Sequence, residues 1–170
     1  MAGVCRLTDP SNQFISIRRA ALALAAAGLC ARAALAAGPF YLGVWKIASA
    51  VPAPWAGPAR PDPSEMKSLV GRTVAVKPKE IAGPKPLACK GPAYRVKYYP
   101  ADWLFQGAFG EMHARDNAAD PVKIAASLGF HGSSWKTLET GCANELDFHF
   151  IDGSTAAIGL NDYVYTLKKQ

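Results

Sequence analysis

The chain is poor in the residues that carry out chemistry. Its 170 residues include three histidines and four cysteines, and 19% of them are charged. His113, His131 and His149 stand at no recognised ligand spacing, which argues against a histidine-based zinc centre. The glycine-containing stretches KGPAY and FGEM lack the spacing and the following helix of a phosphate-binding loop. Ser133, Ser134 and Ser154 belong to no strand-turn-helix elbow that would expose a nucleophile. Glu80 and Glu145 are isolated acids without a carboxylate partner for acid–base work. The bases are scattered, with no run or stripe to match a phosphate backbone, so nucleic-acid binding is not expected. These absences argue against an enzyme, and no cofactor is implied.

What is present begins with an N-terminal leader pattern. A basic segment ends at Arg18-Arg19, the apolar run AALALAAAGLC follows, and Ala34-Leu35-Ala36 supplies a small-residue end. That is the arrangement of a secretory signal peptide, with cleavage expected after Ala36 and a single domain over 37–170. The apolar run is too short, and Arg32 too close behind it, for a membrane span. The arginine pair allows twin-arginine export as well as the general route. Cys30 follows Leu29 where a lipobox requires a small residue, so a periplasmic or secreted product without a lipid anchor is expected. Four of the 19 bases and one of the 13 acids lie in the leader. The remainder holds 15 bases against 12 acids, an ordinary balance for one domain.

Removing the leader also leaves only Cys89 and Cys142. Two cysteines in an exported chain predict a disulfide, because the compartment oxidises them. Closing about fifty residues stabilises the fold by about 4 kcal/mol in the chain-entropy model.

Along the rest of the chain, short apolar runs alternate with turn signals. Strands are expected over 43–50, 73–77, 80–82, 93–99, within SSWKTLET, and over 145–151, 155–160 and 163–168. Five of the 13 prolines fall between Pro52 and Pro63, which predicts a surface loop. Ser64 is the expected cap of a helical turn ending at Leu69. The stretch PADWLFQGAFGEM is apolar but irregular and suggests a strand and a loop. One helix is well signalled, over 121–128: Asp120 caps it, Pro121 opens it and Gly129 ends it. Together these predict a small antiparallel β-barrel of about eight strands carrying one short helix.

In DFHFIDG, Asp147, His149 and Asp152 stand within six residues of one another. Strand alternation puts Asp147 and His149 on one face and Phe148 and Phe150 on the other, while Gly153 draws Asp152 into a turn. The pair Asp147 and His149 is therefore the outside candidate for a metal, with a solvated strand face the expected alternative. Trp55, Trp103, Phe105 and Phe109 cluster near loops; completing the core of a small barrel is the expected reading, and contact with a ligand or partner is the sharper alternative.

Gly43-Val44-Trp45, opening a β-rich chain of this size, resembles the G-x-W motif of lipocalin-type barrels. The resemblance implies a tryptophan that closes the barrel's base, with Lys168 or Lys169 packed on its ring. Asn161-Asp162-Tyr163 is similar to that family's second motif, T-D-Y. The chain also resembles small exported bacterial barrels, the META-type domains and the periplasmic inhibitors of lysozyme or proteases, which combine one disulfide with about eight strands. Three functions follow as expectations. The first is a non-catalytic envelope protein binding a small apolar ligand, the second an inhibitor acting through a protein contact, and the third a metal enzyme using Asp147 and His149.

Overall fold

A computed structural model describes residues 38–58 and 61–170. The proposed leader lies outside the described residues. Nine strands form one antiparallel sheet: β1 (Gly43–Pro52), β2 (Thr73–Lys77), β3 (Glu80–Ala82), β4 (Cys89–Lys90), β5 (Arg95–Tyr99), β6 (Trp135–Glu139), β7 (Asp147–Phe150), β8 (Thr155–Leu160) and β9 (Tyr163–Lys169). Their spatial order is β4-β3-β2-β1-β9-β8-β7-β6-β5. Three helices accompany them: α1 (Pro63–Leu69), α2 (Leu104–Arg115) and α3 (Pro121–Ser127).

The sheet curls into an open half-barrel, not the closed eight-stranded barrel expected. β4 and β5 are its two edges and do not pair. The local reason is Gly91-Pro92 between them: Gly91 turns at φ 64° and Pro92 has no N–H to offer a ladder. A side-chain bond spans the gap instead: Tyr94 donates its hydroxyl to the Lys77 carbonyl of β2 at 2.9 Å. The expected disulfide between Cys89 and Cys142 is formed across the same gap and closes a 53-residue separation.

The inside of the curl is filled by side chains from both halves of the sheet. Trp45, Ile47, Val74, Ile81, Leu138, Phe148, Ile158, Tyr165 and Leu167 are all essentially inaccessible to solvent. At roughly 1.5–3 kcal/mol for each large side chain removed from water, this cluster dominates the favourable side of folding. Helix α1 covers one end. Asp62, not Ser64, caps it by accepting the Ser64 N–H at 2.9 Å, because Pro63 takes the first helical position and places the cap two residues earlier. Its Glu65 accepts from the Tyr165 hydroxyl at 3.0 Å, which ties the helix to β9.

The other face of β6–β9 is covered as well, and there the sequence expectation fails. The stretch PADWLFQGAFGEM, residues 100–112, expected as a strand and loop, instead leads into and forms most of α2, which together with α3 buries a second apolar cluster. Phe105, Gln106 and Gly107 open α2 in the left-handed region, at φ 50°, 57° and 84°. That irregular start is why no helical periodicity is visible in PADWLFQGAF. Gly159 on β8 is required by the packing, since a Cβ there would approach Trp55 and Phe105 ring atoms at 3.1 Å. α3 matches expectation, with Asp120 accepting from the Val122 and Lys123 N–H groups at 2.9 and 3.3 Å. Val122 in its first turn is exposed although apolar.

Candidate functional site

Two regions hold the residues singled out from sequence. The first surrounds β7. The alternation is as expected: Phe148 and Phe150 face the interior of the curl, and His149 faces the other way. His149 is nevertheless not on a solvated face. It is 0% exposed, roofed by α2, with the Phe105 ring 4.6 Å away and the small Ala157 opposite it on β8. Both ring nitrogens are occupied. Phe105 N–H donates to Nε2 at 3.0 Å, and Nδ1 lies 2.8 Å from the Thr137 hydroxyl oxygen. An Nε2 that accepts leaves the ring proton on Nδ1, which donates to Thr137. Burial alone drives the imidazole pKa down to about 3.

Asp147 shares that face, half-buried, and burial raises its carboxyl above the usual range while Gln106 hydrogen-bonds it and pulls the other way. The pair is not poised for a metal, because neither imidazole nitrogen has a free lone pair aimed at a shared site. Among the described residues no group of three or more His, Cys, Asp or Glu side chains is placed to hold an ion. Asp152 is taken up by its turn, its Oδ1 accepting from Ser154 N–H at 2.7 Å and Ser154 Oγ at 2.9 Å. What this region does instead is hold a turn. His149 and the Gln106 bond to the Glu145 carbonyl at 3.1 Å pin the left-handed start of α2.

Of the aromatic contact candidates, Phe105 and Phe109 are core residues, packed on each other at 5.3 Å between ring centroids under the sheet. Helix formation through this segment turned both inward, so neither presents a contact surface. Trp55 is half-buried against them, its indole N–H donating to the Asn161 carbonyl at 2.9 Å. Trp103 is 60% exposed and stacks on Tyr99.

The second region is the open flank of the half-barrel. Residues Pro39–Leu42 fold back over the end of the curl near Trp45. Trp45 donates its indole N–H to the Tyr41 carbonyl at 3.0 Å, and Lys169 Nζ donates to the Phe40 carbonyl at 2.5 Å. The same ammonium lies 5.4 Å from the centre of a Trp45 ring. Gly43 is suited to this crossing, at φ 134° and with the Lys169 side chain 3.3 Å from where a Cβ would stand.

Between that segment and the β5–β6 edge lies an open cavity of about 340 Å³. Phe40, Tyr98, Trp135, Phe150 and Ile151 give it apolar walls, and Lys136 and Asp152 stand at its polar margin. Tyr98 is 63% exposed although it sits on the interior-facing side of β5, opposite Lys136 on β6. No strand continues the sheet past β5 to cover it. Trp135 also lines a neighbouring cavity of about 450 Å³ formed by Pro100, Asp102, His113 and Val122. Phe40, Tyr98, Lys136 and Trp135 carried no distinguishing signal in the sequence. The alternation in RVKYY marks a strand, but which strand ends a sheet is decided by pairing.

Compared with protein-family models, with curated proteins and with solved structures, the chain matches none.

Proposed function

We propose that the protein is a non-catalytic binding protein of the cell envelope that takes a small apolar ligand at the open flank of its half-barrel. The observation that carries this reading is the cavity between Phe40 and the β5–β6 edge, where a strongly exposed tyrosine faces other aromatic rings across unfilled space. Ligand sites are concave, mostly apolar and equipped with few polar groups, and this one has that composition. The interior of the curl is packed with side chains, so the reading puts the ligand at the barrel's mouth and not within it. The disulfide is in keeping with an oxidising compartment. Among the described residues, no helix is long and apolar enough to cross a membrane.

The test is an NMR titration of the folded protein with uncharged apolar probes such as 3-phenylpropanol. Saturable shifts at Tyr98, Trp135 and Ile151 are expected, and Tyr98→Ala should weaken them at unchanged melting temperature because its side chain supports little of the core. A probe panel that leaves those resonances unmoved would remove the reading.

A second reading rests on a different observation. Trp103 and Val122 are 60% and 59% exposed, and exposed apolar side chains of this size are fit for contact with a protein partner. It corresponds to an inhibitor of an envelope lysozyme or protease. Near-stoichiometric inhibition lost in Trp103→Ala would support it, and inactivity against a panel of such enzymes would count against it.

A further inference from the structure

We propose that the ligand class of this mouth is a small aromatic carboxylic acid, its ring among the aromatic side chains and its carboxylate on Lys136. The inference rests on the ligand-binding reading above and specifies its chemistry.

Three observations carry it. The first is the charge. Lys136 makes no ion pair among the described residues, as is true of several other lysines such as Lys67, Lys79 and Lys85, but it alone of these lines the cavity with its ammonium over an aromatic ring. Its ammonium stands 4.9 Å from the Phe40 ring centre, at the cavity wall. A cation held over a ring and lacking an anion is a place where a carboxylate gains a charge-assisted bond. Asp152, the acid at the same margin, is bonded to Ser154 within its own turn and held below the usual carboxyl range chiefly by the Ser154 N–H. It is engaged there and not on Lys136.

The second observation is the character of the walls. Phe40, Tyr98, Trp135 and Phe150 offer ring faces and edges, which favour a flat partner through offset and edge-on contacts. Size is the third. About 340 Å³ is at the small end of ligand sites and suits one ring with a short arm better than a long alkyl chain.

The experiment compares 3-phenylpropionate, 3-phenylpropanol and hexanoate at pH 7, each titrated into the folded protein and followed at Trp135 and Tyr98 by NMR. The aromatic acid should bind roughly fivefold more tightly than the alcohol, the size of a partly exposed ion pair, and more tightly than hexanoate. Lys136→Met should erase the preference for acid over alcohol, read as the ratio of the two dissociation constants, and Lys136→Arg should keep it. Salt should narrow the ratio. Equal affinity for acid and alcohol, or a preference that survives in Lys136→Met, overturns the charge assignment and leaves the mouth intact as an apolar site. Hexanoate binding as tightly as the aromatic acid overturns the aromatic assignment. If none of the three binds, both this inference and the ligand-binding reading fall together.

Discussion

Acidification from pH 7 to pH 5 should destabilise this protein through His149. In the folded state the imidazole is walled off from water and its pKa is depressed to about 3. Unfolded, it returns to the ordinary value near 6.5. A depressed histidine makes the unfolded state the better proton binder below pH 6.5, so stability falls as pH drops and stops falling only below the folded pKa. Between pH 7 and pH 5 the linkage amounts to about 2 kcal/mol, and by pH 4 to about 3 kcal/mol. Most carboxylates in this chain whose pKa values are shifted are displaced downward, Asp62, Glu80, Asp120, Glu139 and Asp152 among them, and they act at lower pH. Asp147, raised by burial, acts in the opposite direction but is present in both proteins, so the difference between their slopes isolates the histidine. The assay is urea denaturation at pH 7, 6 and 5 for the wild type and His149→Gln, each referred to its own stability at pH 7. The variant loses hydrogen bonds to Phe105 N–H and Thr137 and starts lower, by about 1–3 kcal/mol. Its loss of stability over the window should be smaller than the wild type's by about 2 kcal/mol. Equal pH slopes in the two proteins would refute the reasoning. A wild-type His149 ring resonance that titrates near pH 6 would do so even if the variant failed to fold.

Other expectations concern the fold. Replacing both Cys89 and Cys142 by serine should cost about 4 kcal/mol, read as a lower urea midpoint, since the bond closes 53 residues of chain. Glu145 is exposed with φ 51°, so Glu145→Gly should raise stability by about 1 kcal/mol by relieving a left-handed side chain. Gly159→Ala should cost about 1–3 kcal/mol, because Trp55 and Phe105 must give way, and a change in tryptophan fluorescence should accompany it. Trp45→Ala should lose about 3–5 kcal/mol of stability from the filled interior, the opposite pattern to Tyr98→Ala, whose effect should fall on ligand binding alone.

Strand positions followed from the sequence because each strand's alternation is a local property. β8 begins and ends where the pattern predicts, and β2 and β3 do as well. The α3 helix was legible for the same reason, its cap and first-turn proline being adjacent in the chain. The disulfide followed from assigning Cys5 and Cys30 to the expected leader, which left Cys89 and Cys142 one way to pair. That Lys169 would be the residue packed on Trp45 was open, and the pairing of β1 with β9 decided it.

What tertiary structure alone decided are the surfaces. Alternation put Asp147 and His149 on one face, and nothing local said that α2 would cover that face, because three left-handed residues conceal the helix that does so. For the same reason Phe105 and Phe109 looked like candidates for contact and are core. The sheet's failure to close is likewise a matter of pairing: it leaves β5 at an edge and exposes Tyr98 beside Lys136 and Phe40, residues 58 and 96 positions apart from the latter along the chain. Local sequence determines which face of a strand is apolar. Whether that face meets a helix, another strand or water depends on partners distant in the chain, and the candidate site lies where such a partner is missing.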